Sequence, residues 1–456
     1  GFNAVRCAHN PPAPAFLDAC DRQGMLVIDE AFDCWLEGKT PYDYHVVFSD
    51  WWRRDVISMI YRDRNHPSVI MWSIGNEVRE RDGRSDGAAL AQRMADYVHS
   101  MDPSRPVTAG VNGGGGRWPW ERTDNIFSAL DVCGYNYQEQ QYRSDHERRP
   151  DRVIYGSEST AREALEHWTS VESLRYVVGD FVWTALDYLG EAGIGRVEVS
   201  EEEPQFLGAY PWHQANCGDL DLCGFKRPQS YYRDILWQWG NKLAIFVHPP
   251  SEGRAAPGLT YWAWPDVQAS WTWPGREGET LTVDVYSACD HVELFLNGDS
   301  LGEKPTGMDA RHIASFDVPY EPGTLQARGY DDDDQTAQCE LVTVGEAARL
   351  RLSPDRTSLS QEPGDLSFVT VEVVDADGRV DPRADLEISF TVRGVGELAA
   401  VGNGDPMSTE RYRGGCRRAY RGRCLVVVKT RGEAGEIELQ AQAKGLESAA
   451  VVFSVD

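Results

Sequence analysis

Seven short apolar runs punctuate the first 245 residues of this chain, at 2–7, 25–29, 69–74, 107–110, 132–135, 153–155 and 181–184. The stretches between them have helical spacing. Leu90, Met94, Tyr97, Val98 and Met101 recur every three or four positions, as one buried helix face requires. Repeated strand–helix units predict a parallel sheet, and this many units predict a barrel. A closed (β/α)8 barrel needs eight strands. The missing strand is expected to be the first, upstream of Gly1.

The run at 69–74 carries the chemistry. It is rich in β-branched residues and does not alternate with polar ones, so it reads as a strand buried on both faces. It stops at Gly75, and the next side chains are Asn76 and Glu77. A carboxyl group is thereby delivered to the carboxyl end of an interior strand, where barrel enzymes place their catalytic groups. Glu77 is the first candidate for a catalytic acid/base. The second carboxylate is Glu158, in Val153-Ile154-Tyr155-Gly156-Ser157-Glu158, which also follows a short apolar strand. With one strand missing upstream, Glu77 ends the fourth barrel strand and Glu158 the seventh. Retaining cleavage of a glycosidic bond needs two carboxyl groups about 5 Å apart, in environments that keep one protonated and the other ionised. A lone Glu after a strand is more often a solvated loop residue or a helix N-terminal charge. The pair, with Asn76 beside Glu77, favours catalysis.

Composition narrows the partners. With 41% apolar residues, 15 Trp and 19 Tyr, the chain is that of a folded globular protein. Its formal net charge of -27, from 72 acidic against 45 basic residues, repels phosphate backbones and anionic lipid. No nucleic acid and no membrane partner is expected, and no run approaches the roughly 18 apolar residues of a span. The 10 cysteines are scattered rather than arranged as a disulfide framework, which favours a reducing compartment and so the cytoplasm over an oxidising one.

After Asn241-Lys242-Leu243 the texture becomes all-β. Strands are expected at 281–286 and 292–296, then a hairpin at Asn297-Gly298-Asp299. A further all-β stretch has strands at 369–374 and 425–429. Both stretches contain a similar segment, Gly323-Thr324-Leu325-Gln326-Ala327 and Gly435-Glu436-Ile437-Glu438-Leu439. The expected organisation is a barrel over 1–245 and two immunoglobulin-like β-sandwiches over 246–345 and 346–456. The acidic run at 331–334 reads as a solvated turn, not a calcium site.

Three blocks make the sequence resemble the glycoside hydrolases of family 2, the β-galactosidase, β-glucuronidase and β-mannosidase group. They are Asn3-Ala4-Val5-Arg6-Cys7-Ala8-His9-Asn10-Pro11, then Asp63-Arg64-Asn65-His66-Pro67-Ser68-Val69 through Asn76-Glu77, and more loosely Gly156-Ser157-Glu158. The likeness continues through Asp29-Glu30-Ala31-Phe32-Asp33 and through Phe181-Val182-Trp183-Thr184-Ala185-Leu186-Asp187-Tyr188-Leu189-Gly190-Glu191. The second of these is similar to bacterial β-galactosidases with extra sandwich domains behind the barrel.

The resemblance implies Glu77 as acid/base and Glu158 as nucleophile. It implies that Asn76 bonds the sugar 2-hydroxyl, that Tyr137 holds the nucleophile's carboxylate, and that Trp183 floors the sugar. Tyr135 is the alternative to Tyr137, but as a strand residue it suits the core. Arg6 and His9 are implied to orient the nucleophile and sugar hydroxyls, with a structural ion pair as the other reading of Arg6. For Asp187 a sugar contact competes with a helix N-terminal role. The family normally has a jelly-roll and an immunoglobulin-like domain before the barrel. These, like the first strand, are expected from a longer protein or from another chain, a homo-oligomer included.

No cofactor and no metal are expected. Gly113 to Gly116 lack a following Gly-Lys-Ser/Thr and read as a loop at the barrel mouth, and His213, Cys217 and Cys223 lack a second ligand pair. The expected activity is exo-β-galactosidase. The alternatives are a β-glucuronidase or β-galacturonidase, kept open by Lys226 and Arg227, and a non-catalytic carbohydrate-binding fragment.

Overall fold

A computed structural model describes all residues except 199–205, 251–257, 333 and 363. The chain divides into two compact units, Gly1–Trp183 and Thr184–Asp456.

The first unit is a parallel sheet of seven strands in sequential order: β1 (Ala4–Arg6), β2 (Leu26–Glu30), β3 (Val69–Asn76), β4 (Val107–Asn112), β5 (Cys133–Asn136), β6 (Ile154–Ser159) and β7 (Val177–Val182). Helices including Pro14–Gln23, His45–Asp63, Gly87–Met101 and Ala164–Ser173 lie between the strands in sequence. The periodic face predicted for the third of these is buried through Leu90, Met94 and Val98, which share a core with Val56, Trp72 and Val107. Each large apolar side chain so buried stabilises the fold by about 1.5–3 kcal/mol before entropy is counted.

All seven expected strands are present, but their carboxyl ends reach further than the apolar runs do. β3 continues to Asn76, which pairs with Gly110, and β6 continues to Ser159, with Glu158 opposite Asn136. Glu158 therefore lies within its strand, not after it. β7 begins earlier than expected, at Val177, where it pairs with Ile154, and it ends before Trp183. Gly179 and Asp180 interrupt its apolar pattern, and Asp180 is accommodated by an ion pair with buried His167 at 3.1 Å.

In the second unit, a three-stranded sheet (Ile313–Pro319, Thr280–Ser287, Leu243–Val247) and a four-stranded sheet (Asp299–Pro305, His291–Leu296, Thr324–Asp331, Asp334–Val342) share a core of Val283, Val285, Leu294, Phe316 and Leu325. The expected hairpin is there. Leu296 pairs with Asp299 across Asn297 and Gly298, whose φ values of 53° and 94° are those of a two-residue hairpin turn. A four-stranded sheet and a five-stranded sheet, within Arg349–Val455, enclose a separate core containing Val371, Val426, Ile437, Leu439 and Phe453. The architecture is the expected barrel sheet followed by two sandwiches, and residues 184–242, including the helix Pro228–Leu236, group with the second unit. Among the described residues no helix is long and apolar enough to cross a membrane.

Candidate active site

Polar side chains converge at the carboxyl ends of β1, β2, β3, β5 and β6, and Arg6 is their hub. Its Nε and Nη2 each donate to Glu30 at 3.0 Å, Nη2 donates to Asn76 Oδ1 at 2.8 Å, and Nη1 donates to Glu158 Oε1 at 2.9 Å. Nη1 also donates to the Ser157 carbonyl at 3.1 Å. A guanidinium suits this position because its donors form a rigid fork that can meet several acceptors at once. The bond to Glu158 spans β1 to β6, so the two ends of the sheet approach each other at this mouth.

Asn136 extends the network. Its Nδ2 donates to Asn76 Oδ1 and to Glu77 Oε1, each at 3.0 Å, while its own Oδ1 accepts the Ser157 hydroxyl at 2.5 Å. Close strand approach makes this possible. A Cβ on Gly110 would lie 2.8 Å from Arg6 Nη2 and 2.9 Å from the Oδ1 atoms of both Asn76 and Asn136.

Asn76 is saturated. Its Oδ1 accepts from Arg6 and Asn136, and its Nδ2 donates to Asp33 Oδ1 at 3.0 Å and meets His9 Nε2 at 3.2 Å. Since Arg6 fixes which end of the amide is oxygen, His9 Nε2 is the acceptor. His9 Nδ1 therefore carries the proton, toward Glu30 Oε1 at 2.7 Å. The other face of the His9 ring is not idle: the rings of His9 and Trp183 stack with centroids 5.1 Å apart and 4° between planes.

Three carboxylates meet different surroundings. Burial pushes Glu158 upward and the nearby charge of Glu77 adds to the push, whereas Arg6 and His9 oppose it; the net result is above the ordinary glutamate value. Glu30 is also fully buried, which alone would raise it, but Arg6, His9 and the Ser73 hydroxyl hold it below the ordinary value. Glu77 is half-buried. Its backbone is held at φ 43°, a left-handed conformation that costs a non-glycine residue about 1–3 kcal/mol, and its amide bonds to the Gly110 carbonyl at 2.8 Å.

Of the expected site residues, Glu77, Glu158, Asn76, Arg6 and His9 belong to this one network, with Trp183 against His9. Tyr137 is left-handed at φ 57° and its amide donates to the Glu158 carbonyl at 2.8 Å. Tyr135 is core, buried against Trp120 and Phe127 with its hydroxyl on Asp145. Asp187 lies in the second unit, in an irregular stretch rather than at a helix N-terminus. Its oxygens there accept the Gly218 amide at 2.7 Å and Arg227 at 3.1 Å. Lys226 is likewise paired, with Asp234, and His213 meets the Tyr412 hydroxyl at 3.0 Å. Glu30, Asn136 and Asp33 went unassigned from sequence, although Glu30 and Asn136 each end a barrel strand as polar residues after an apolar run.

Glu77, Glu158 and Arg6 thus lie together at the strand ends of a parallel barrel sheet, where barrel enzymes place their catalytic groups. Residues 1–149 match the family model for the TIM barrel domain of glycosyl hydrolases family 2, and residues 350–452 match that for glycoside hydrolase family 2 C-terminal domain 5. Residues 278–337 match a domain of unknown function. The chain belongs to glycoside hydrolase family 2.

It is 33% identical over 532 residues to a β-galactosidase of Bacteroides ovatus, covering 100% of this chain and 58% of that protein. It is 28% identical over 488 residues to a putative β-glucuronidase of Formosa agariphila, covering 96% and 43%. The crystal structure of a family 2 member from Bacteroides cellulosilyticus aligns with a TM-score of 0.93 at 42% identity, covering 100% of this chain and 58% of that one. The chain thus spans between about two fifths and three fifths of these relatives.

Proposed function

We propose that this chain carries the catalytic barrel of a retaining exo-β-glycosidase, and that the enzyme is a β-galactosidase. The observation that carries the proposal is the contrast between the two glutamates. Glu158 is buried and paired with Arg6, while half-buried Glu77 is linked to the same cluster through Asn136. Arg6 keeps the Glu158 carboxylate ionised and aimed, despite burial, so that it can attack the anomeric carbon. Glu77 protonates the departing oxygen as the glycosyl ester forms on Glu158. It then takes a proton from the water that cleaves this ester. Two displacements return the original anomeric configuration.

Asn76 bonds the 2-hydroxyl, an interaction that tightens in the transition state. His9 orients sugar hydroxyls, Tyr137 holds the Glu158 carboxylate, and Trp183, already aligned by its stack on His9, floors the sugar. Asp187, whose oxygens accept from Gly218 and Arg227, is a further candidate for contact with a sugar hydroxyl. The proposed division of labour is a catalytic barrel over 1–245 with sandwiches over 246–345 and 346–456.

A β-glucuronidase or β-galacturonidase is the second reading, favoured by the name of the Formosa relative. The test is hydrolysis of 4-nitrophenyl β-galactoside and β-glucuronide by the full-length gene product and by its Glu158→Gln variant. Turnover of the galactoside alone, lost in the variant, is the expected result. Turnover of the glucuronide alone selects the second reading. Glycan binding without turnover selects a non-catalytic module.

A further inference from the structure

Asn76 has no hydrogen-bonding capacity left for a substrate. Both of its N–H groups and both lone pairs are engaged, by Asp33, His9, Arg6 and Asn136. A sugar hydroxyl can reach Asn76 only by taking the place of one of these four. Arg6 and Asn136 are buried and bind several other groups, and His9 is fixed between Glu30 and Trp183. Asp33 differs. Its side chain is 46% exposed, while Asn76 beneath it is only 2% exposed. Asp33 therefore separates the Asn76 amide from the solvent at the mouth. Its Oδ1 is also gripped by Lys39 Nζ at 2.5 Å, and among the described residues its Oδ2 accepts no hydrogen bond.

We propose that Asp33, held by Lys39, is a substrate-contacting residue that reads one glycone hydroxyl jointly with Asn76. The inference rests on the glycosidase reading above. A hydroxyl is at once donor and acceptor, so it can insert into the Asn76–Asp33 bond. It accepts from Nδ2 and donates to the Asp33 carboxylate, leaving every group satisfied. A hydrogen or fluorine at that carbon cannot replace the bridge, and neither closes the Nδ2-to-carboxylate contact that the sugar has pushed apart. The site then discriminates by leaving its own buried polar group unpaired, the form of selectivity that yields large ratios. Lys39 donates to the same oxygen that faces Asn76 and so keeps that oxygen aimed at the mouth.

The test compares 4-nitrophenyl β-galactoside with its 2-deoxy analogue on the full-length gene product, on Asp33→Ala, on Lys39→Met and on Glu158→Gln. For the wild type the expected kcat/KM ratio strongly favours the hydroxylated sugar. Asp33→Ala is expected to reduce kcat/KM for that sugar about 10- to 100-fold, the worth of a hydrogen bond to a charged group. It should change the deoxy analogue less than about threefold, so that the ratio collapses. Lys39→Met should reproduce a smaller part of the same selective loss. Equal losses on both sugars would mean that Asp33 is merely structural and would overturn the proposal, as would an unchanged ratio. If turnover survives Glu158→Gln, the glycosidase reading itself fails. Turnover that Glu158→Gln abolishes and Asp33→Ala leaves untouched sinks only the proposal for Asp33.

Discussion

At the residue scale the account turns on how differently Glu77 and Glu158 are held. Glu77→Gln removes proton donation to the leaving group, so the loss should depend on that group. Alkyl galactosides are expected to lose 100-fold or more, in the range of general acid–base contributions of about 10²–10⁴. A 2,4-dinitrophenyl galactoside, whose leaving group departs without help, should lose far less in the first displacement, seen as a retained burst. The pH dependence follows from Glu158. Its carboxyl lies above the ordinary glutamate value of 4.5, chiefly through burial, and only its ionised form attacks. The acid limb of kcat/KM, which reports the free enzyme, should therefore fall away at a pH above 4.5. An acid limb below that value would show that burial does not govern Glu158.

At the element scale, the site depends on how closely strands approach. Gly110 on β4 leaves room for Arg6, Asn76 and Asn136 to meet, and an added Cβ would come within 3.0 Å of all three. Gly110→Ala is expected to cost about 1–3 kcal/mol in stability, as overpacking does, and to lower kcat/KM at least 100-fold with the sheet still folded by circular dichroism. Glu30 on β2 supports the same cluster. Its carboxyl is held below the ordinary value, so its contribution to stability is present above pH 4.5 and fades as pH falls through its folded value. Glu30→Gln should cost about 3 kcal/mol at pH 7, and the difference in thermal stability from wild type should shrink toward pH 4.

The seven apolar runs were enough to predict the sheet, and the Asn76-Glu77 motif gave one catalytic candidate outright. What the apolar pattern could not mark was how far each strand runs. Asn76, Asn136 and Glu158 are polar yet still pair in the ladder, because their side chains find partners at the mouth. Glu30 and Asp33 escaped for a related reason. Their importance comes from Arg6 and Asn76, residues 24 and 43 positions away, and sequence spacing carries no sign of such contacts.

At the scale of the whole molecule, the apolar cores are separate. Among the described residues, two lie within the barrel sheet and its helices, the smaller made of Ile28, Met71 and Tyr155, and one within each sandwich. Unfolding should therefore not be a single two-state event. Leu439→Ala, in the last sandwich, removes a fully buried side chain and should lower one calorimetric transition by about 2–5 kcal/mol of stability while the others stay in place. A uniform shift of all transitions would show that the cores unfold as one.

The central claim is that sugar passes through a covalent ester on one named side chain. The direct measurement is mass spectrometry of the full-length enzyme quenched during turnover of a 2-deoxy-2-fluoro-β-galactoside with an activated leaving group, followed by peptide mapping. The account predicts one added fluoroglycosyl group, located on Glu158. An adduct on any other residue, or hydrolysis of unfluorinated galactoside with inversion of the anomeric centre, would contradict it.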